Sequence, residues 1–227
     1  MNFLRLIRAL LHRLRHVRPG VESYYLLGRR IAAGQSSPPP GYRLALVTRD
    51  TDPHFDDLVA FSALQGIDAN WCLEELRDGV FMVLAICNKS GRVAGAAWVA
   101  TRAHAIDPIY HRFDPGPWGS GMLHAFVSPE HRGSRLQRHM VQPRFVRLLA
   151  MGKRFAYAVV RCDNRPSLRN YLNDEFVPIV RIDLVRVGGL TLTNFRRLTH
   201  ALPMGRFIAR TWPGSAFLHF ARVSKNG

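Results

Sequence analysis

Apolar and polar positions along this chain switch between a period near two and a period near 3.6, and the switches mark its elements. YRLALVTRD (42–50) reads as a strand, and PHFDDLVAFSALQG (53–66) as a helix with Asp52 as expected N-cap and Gly66 as stop. A second short helix is predicted over Asn70 to Arg77. VFMVLAIC (80–87), the Asn88-Lys89-Ser90-Gly91 turn and RVAGAAWVAT (92–101) predict a β-hairpin. Residues 102–117, rich in His, Asp, Pro and aromatics, are expected to form an irregular loop. GMLHAFV (121–127) is the next strand, followed by a turn and a helix to about Met151, stopped by Gly152 and kinked by Pro143. RFAYAVVR (154–161) predicts a strand, PSLRNYLND (166–174) a short helix and FVPIVRIDLVRV (176–187) a long strand. A helix near Asn194 to Ala201 and a last strand in AFLHFARV (216–223) complete the pattern. Strands alternating with helices after an opening hairpin predict an α/β or α+β domain around a mixed sheet.

The N-terminal region differs. In FLRLIRALLHRLRHVR (3–18), Phe3, Leu4, Ile7, Leu10, Leu11, Leu14 and Val17 fall on one helical face, Arg5, Arg8, His12, Arg13 and Arg15 fall on the other, and no acidic residue precedes Glu22. Such an amphipathic helix suits docking on its own domain or self-association, a seat on an anionic membrane surface, or an Arg-rich organellar presequence. GQSSPPPG (Gly34 to Gly41) cannot continue a helix, so residues 1–40 read as a basic helix with a linker and 41–227 as the compact domain, starting near Tyr42.

At 227 residues, 47% hydrophobic and 21% charged, the chain has enough apolar material for one good-sized core. Its charge is unusual: Lys+Arg 32 against Asp+Glu 16 gives +16, and Lys89, Lys153 and Lys225 are the only lysines. A field of this sign attracts phosphates, anionic lipid or an acidic protein. No patch combines concentrated basic residues with aromatics, so nucleic acid is not the expected partner. Cys72, Cys87 and Cys162 are odd in number and form no C-x-x-C, which argues against a disulfide framework or a zinc site and for a reducing, cytoplasmic setting. No metal is expected.

The charge matters most in SPEHRGSRLQRH (128–139), where Arg132, Arg135 and Arg138 crowd a glycine-containing turn that opens a helix. A helix N-terminus presents unpaired N–H groups and a partial positive charge, so it suits a phosphate. Gly133 lets the turn aim successive N–H groups inward and leaves no side chain in a phosphate's way, and Arg132 and Arg135 add charge. A solvated basic turn has the same composition, and the wider sequence separates the two readings.

In that wider sequence, Ala125-Phe126-Val127-Ser128-Pro129-Glu130 leads into Arg132-Gly133-Ser134-Arg135-Leu136-Gln137, and Asn164, Ser167, Leu168, Tyr171 and Phe176 follow after the next strand. Over roughly residues 42–187 this ordered pair of motifs resembles the GNAT N-acetyltransferase superfamily, whose acetyl-CoA loop reads R-G-x-G-x-G/A. The resemblance implies a mixed, mostly antiparallel central sheet flanked by helices. It also implies acetyl-CoA as acyl donor, its pyrophosphate on Arg132 to Gln137 and its pantetheine arm paired with Ala125, Phe126 and Val127. Tyr171 would be the acid that protonates the departing thiolate, and Asn164 would hydrogen-bond the cofactor. Arg135 and Gln137 stand where the family often has small residues, and Glu175 replaces the usual Gly before Phe176.

The acceptor amine also needs a base. His124 precedes the pantetheine-pairing segment and titrates near neutrality, with His104, Asp107, His111 and Asp114 as rivals. Cys162 has no His at a partner spacing and reads as a buried thiol rather than a nucleophile. The expected activity is therefore acyl-CoA-dependent transfer of an acetyl group to the primary amine of a small molecule or amino sugar. Two alternatives stand beside it: a long-chain acyltransferase fed by an acidic acyl carrier protein, and a non-catalytic binder of the same fold.

Overall fold

The computed structural model describes residues 20–34, 37–106, 109, 111–187, 190–209 and 217–219. The predicted helix over 3–18 and the base candidate Asp107 lie outside them. Nine of the twelve described strands form one sheet. In spatial order these are β12 (Phe217–His219), β10 (Leu190–Arg197), β9 (Val177–Val187), β1 (Gly20–Arg30), β8 (Phe155–Arg161), β7 (Gly119–Val127), β4 (Val93–Ala100), β3 (Val80–Cys87) and β2 (Tyr42–Val47). Neighbours run antiparallel except β7 with β8 and β10 with β12. A second sheet of β5 (His104–Ile106), β6 (His111–Asp114) and β11 (Arg206–Ala209) packs against the first. Among the described residues the α-helices are α1 (Phe55–Ala63), α2 (Ala69–Arg77), α3 (Leu136–His139), α4 (Val141–Ala150) and α5 (Arg165–Asn173).

The layers follow from side-chain alternation. In β3, Phe81, Val83 and Ala85 pack beneath Leu136 and Phe145 of α3 and α4, while Val80, Met82, Leu84 and Ile86 pack against Leu58 and Phe61 of α1. Both faces of β3 are therefore buried, which explains its unbroken apolar run. Helices α3 to α5 cover one face of the sheet. The other face is covered by α1 and α2 over β2–β4 and by the small sheet over β1, β8 and β9.

Several expectations are corrected. The sheet begins at Gly20, not Tyr42: β1 lies between β8 and β9, with Leu26 and Leu27 fully buried on opposite faces, inside the segment assigned to the linker. Residues 102–117 contain two strands rather than an irregular loop, because β6 pairs with both β5 and the distant β11. The segment expected to be a helix near Asn194 is strand β10, paired antiparallel with β9 from Leu190↔Val187 to Arg197↔Val180. Asp52 does not cap α1: its carboxylate accepts from the backbone N–H of Thr48 and Arg49 (2.9 Å), which holds it below the usual carboxylate range, and the cap position is His54. The helical break falls at Met140 rather than at Pro143, which sits in the first turn of α4, where a missing N–H costs little.

Candidate functional site

Strands β7 and β8 are parallel neighbours only at their start. Pairing runs from Gly119↔Phe155 to Met122↔Ala158 and then ends, although β7 continues to Val127 and β8 to Arg161. On its other edge β7 stays bonded to β4, with Ala97↔Ala125, Ala96↔Phe126 and Gly95↔Val127. Residues 123–127 thus form a strand with one edge paired and one edge facing a gap. The register against β4 slips by one between Ala97↔Ala125 and Val99↔Met122, so β7 carries an extra residue around Leu123 and His124. Such a bulge bends and twists its strand and re-aims the side chains beside it.

The gap opens into a cleft of about 1010 Å³ that passes through the sheet. On the face covered by α3–α5, the turn after β7 lines it with Arg132, Gly133, Arg135, Leu136 and Gln137. Gly133 has φ +84 and Arg135 has φ +59. The left-handed conformation at position 135 explains why a small residue is usual there, and Arg135 holds it at a cost of about 1 kcal/mol. Ser134 is the one predicted turn residue that does not line the cleft; its hydroxyl donates to the carbonyl of His131. Gln137 accepts from the side-chain amide of Asn170 on α5 at 3.1 Å, which ties the turn to the opposite wall.

That wall carries Asn164 and Tyr171. Asn164 caps α5: its side-chain oxygen accepts from the N–H of Ser167 at 3.2 Å, which leaves its amide N–H₂ available to a ligand. Tyr171 is 8% exposed, lies edge-on to Phe176 with ring centroids 4.9 Å apart, and lines the cleft. Burial pushes its phenol above the ordinary value of 10.0, and the Arg144 guanidinium pulls the other way. Arg144 is fully buried, donates to the carbonyl of Met140 at 3.0 Å, and has no carboxylate in contact among the described residues. Glu175, where glycine was expected, has φ +62 and keeps glycine's backbone conformation.

The candidate bases separate. His124 is exposed on β7, lines the cleft and stacks on Phe126, with the rings of Trp71 and Trp98 nearby. His104 also lines it, on the opposite face from the basic turn. A Cβ built on Gly121 would come within 2.1 Å of the His104 ring, so the imidazole rests on β7 one residue before pairing with β8 ends. Burial lowers the pKa of His104 from 6.5; the hydrogen bond at the Arg102 carbonyl opposes this and the charge of Arg112 adds to it, so the balance favours the neutral ring. His111 is buried, with Nδ1 at the carbonyl of Ile109, and Asp114 accepts from the N–H of Gly116; neither lines the cleft. Cys162 does not line the cleft either, and burial raises its thiol pKa, which leaves it a weak nucleophile. Among the described residues no group of three or more His, Cys, Asp or Glu could hold a metal, and no helix is long and apolar enough to cross a membrane.

The sequence reading omitted Tyr24, Leu26, Ile106, Phe113 and Tyr157, which wall the far side of the cleft. They belong to β1, β5, β6 and β8, and only the packing of the second sheet on the first brings them together.

No family model and no curated protein sequence matches the chain. Solved structures do. A tandem GNAT protein from the clavulanic acid biosynthesis pathway matches with a TM-score of 0.53 at 18% identity, over 74% of this chain and 54% of that one. A GCN5-related N-acetyltransferase from Sphaerobacter thermophilus matches with a TM-score of 0.52 at 16% identity, over 78% and 53%. This is the GNAT fold. A GCN5-related glucosamine N-acetyltransferase region of a fungal multi-domain β-N-acetylglucosaminidase shares it, with a TM-score of 0.50 at 15% identity, over 82% of this chain and 23% of that one. At these identities the likeness is one of fold. The chain spans about half the length of the first two and under a quarter of the third. Set on the GNAT fold, the departures at Arg135 and Glu175 preserve the backbone that glycine would give, and Gln137 adds a hydrogen bond across the cleft.

Proposed function

We propose that the protein is an N-acyltransferase that moves an acyl group, most simply acetyl, from coenzyme A to the primary amine of a small molecule. One observation carries this reading: the parted strands β7 and β8, with the bare edge of residues 123–127 opening onto a basic turn. Pantetheine contains two amides and could add to that edge as an extra strand. The turn N–H groups with Arg132 and Arg135 match a pyrophosphate in charge. The thioester would then lie where the strands part, and the acceptor would approach through the gap from the other face.

The proposed chemistry is direct attack. The amine lone pair adds to the thioester carbonyl, the C–S bond breaks as the amide forms, and the thiolate takes the Tyr171 proton. The proton lost by the amine passes to a base. His104 takes that role in preference to the exposed His124, because it stands beside the parting point and burial keeps it neutral. Positioning of this kind and general acid–base help together account for large rate enhancements in acyl transfer.

The apolar half of the cleft favours a second reading, a long-chain acyl donor delivered by an acidic carrier protein. Calorimetric titration with acetyl-CoA and palmitoyl-CoA, wild type against Gly133→Glu, separates the two. A Cβ at Gly133 meets nothing within 4 Å, but at φ +84 any side chain strains the turn, so the variant's folding is checked by its melting temperature; its carboxylate would repel the pyrophosphate. Saturable acetyl-CoA binding weakened at least ~10-fold in the variant supports the proposal. Preference for palmitoyl-CoA brings the carrier-protein reading forward, and binding of neither by folded protein rejects both.

A further inference from the structure

The two halves of the cleft differ in chemistry. The half beside α3 and α5 is polar and basic. The other half is walled on one side by Tyr24, Leu26, Ile106, Phe113 and Tyr157, and on the other by Leu123 and Phe126. Among the described residues that line the cleft there is no Asp or Glu. The carboxylates just outside are already engaged: Glu22 accepts from the Tyr24 hydroxyl at 2.6 Å and from Arg186 at 3.0 Å, and Asp163 holds Arg161 at 2.6 Å. Two of the wall's hydroxyls are committed as well, since Tyr157 donates to the carbonyl of Pro203 at 2.8 Å and Tyr24 donates to Glu22. What remains facing the acceptor is mainly apolar and aromatic surface, with the imidazoles of His104 and His124 and the Gln65 amide as its polar groups.

Resting on the acyltransferase reading, we infer that the acceptor is a monoamine carried on an apolar body of about the size of an aromatic ring, with polyamines and multiply charged amino sugars excluded. The reacting nitrogen must shed its charge to attack, so it needs a base and no permanent counter-ion. A second ammonium keeps its charge. In this half of the cleft it would lose water without gaining a carboxylate from any described residue, next to a protein of net charge +16. A sugar's several hydroxyls meet few partners, the Gln65 amide and the His104 and His124 imidazoles. An aromatic or branched apolar body, by contrast, gains from burial against Tyr24, Phe113 and Leu26.

The test uses the full chain saturated with acetyl-CoA and follows thiol release with 2-phenylethylamine, glucosamine and spermidine. In parallel, calorimetry measures binding of the same three amines to the protein with free CoA, where no turnover occurs. We expect kcat/KM and affinity for 2-phenylethylamine to exceed those for spermidine and glucosamine by roughly 100-fold or more. Ala105 is exposed at the rim of this half, so Ala105→Glu should fold and should narrow the gap to spermidine at least ~10-fold by supplying the missing carboxylate. Spermidine or glucosamine binding as well as 2-phenylethylamine overturns the inference, as does 2-phenylethylamine failing to bind. An acyl chain of octanoyl-CoA that displaces 2-phenylethylamine also overturns it, because the apolar half would then belong to the donor. Selective binding of 2-phenylethylamine without thiol release supports the inference and instead rejects catalysis.

Discussion

Met122 and Ala158 are the last residues that β7 and β8 pair, and the cleft opens at the point where they part. Gly121, one residue earlier, carries the His104 ring on its bare Cα. On the opposite face Tyr171 closes the cleft, with Arg144 buried behind it. Acid and proposed base therefore stand on opposite sides of the sheet, as expected when donor and acceptor enter from opposite faces.

Tyr171→Phe removes only the hydroxyl and keeps the ring contact with Phe176. We expect kcat to fall ~100-fold or more while donor affinity and melting temperature stay nearly unchanged. Steady-state kinetics with calorimetry checks this, and an unaltered kcat would remove Tyr171 from the acid role.

Arg144→Met tests how that acid is tuned. The guanidinium opposes the effect of burial on Tyr171, so its removal should raise the phenol pKa further and weaken the acid. Because Arg144 is a buried charge with no carboxylate in salt-bridge contact among the described residues and only the more distant charge of Asp174 in its favour, the same change should leave stability unchanged or raise it by about 1–2 kcal/mol. Thermal denaturation beside the alkaline limb of the pH–rate profile reads both effects.

His104→Gln tests the base. Burial lowers the pKa of His104 from 6.5. Well above pH 6.5 the ring is neutral whether folded or unfolded and contributes nothing to pH dependence. As pH falls below 6.5 the unfolded chain takes the proton first, so stability declines until the folded pKa is passed. Denaturant midpoints should therefore fall less steeply with acid in His104→Gln than in wild type. In wild type the acid limb of kcat/KM should lie below pH 6.5; in His104→Gln it should flatten at a rate reduced ~100-fold or more. His124→Gln should keep the limb, and the reverse pattern would transfer the base role to His124.

Glu175→Gly tests backbone strain. The position has φ +62, and the ion pair it would lose, to Arg29 at 2.9 Å, is on a side chain 78% exposed. Relief of left-handed strain, about 1 kcal/mol, is set against an ion pair to a largely buried guanidinium that keeps its hydrogen bond to the Asp174 carbonyl, so stability should rise by no more than roughly 0.5 kcal/mol. Chemical denaturation reads this directly.

Local signals were sufficient for part of this protein. The apolar runs of β3 and β4, the helix over Arg165–Asn173 capped by Asn164, and the glycine turn after β7 are legible because each depends on residues close together in sequence. The residues expected on the cofactor side came from the same short motifs, and apart from Ser134 they line the cleft. Strand β1 was not legible: GVESYYLLGRR has polar ends and no clean alternation, and it is a strand because β8 and β9 supply hydrogen bonds on both edges. Asn194–Arg197 has a polar, helix-like composition, yet pairing with β9 overrides it. The acceptor half of the cleft was invisible for the same reason. Tyr24, Ile106, Phe113 and Tyr157 come from four strands, and nothing local marks them as one wall. Sequence by itself determined where a glycine turn opens a helix and crowds arginines beside its N-terminus. Only tertiary structure decided where two strands part and what faces the gap, because contacts between distant segments create both.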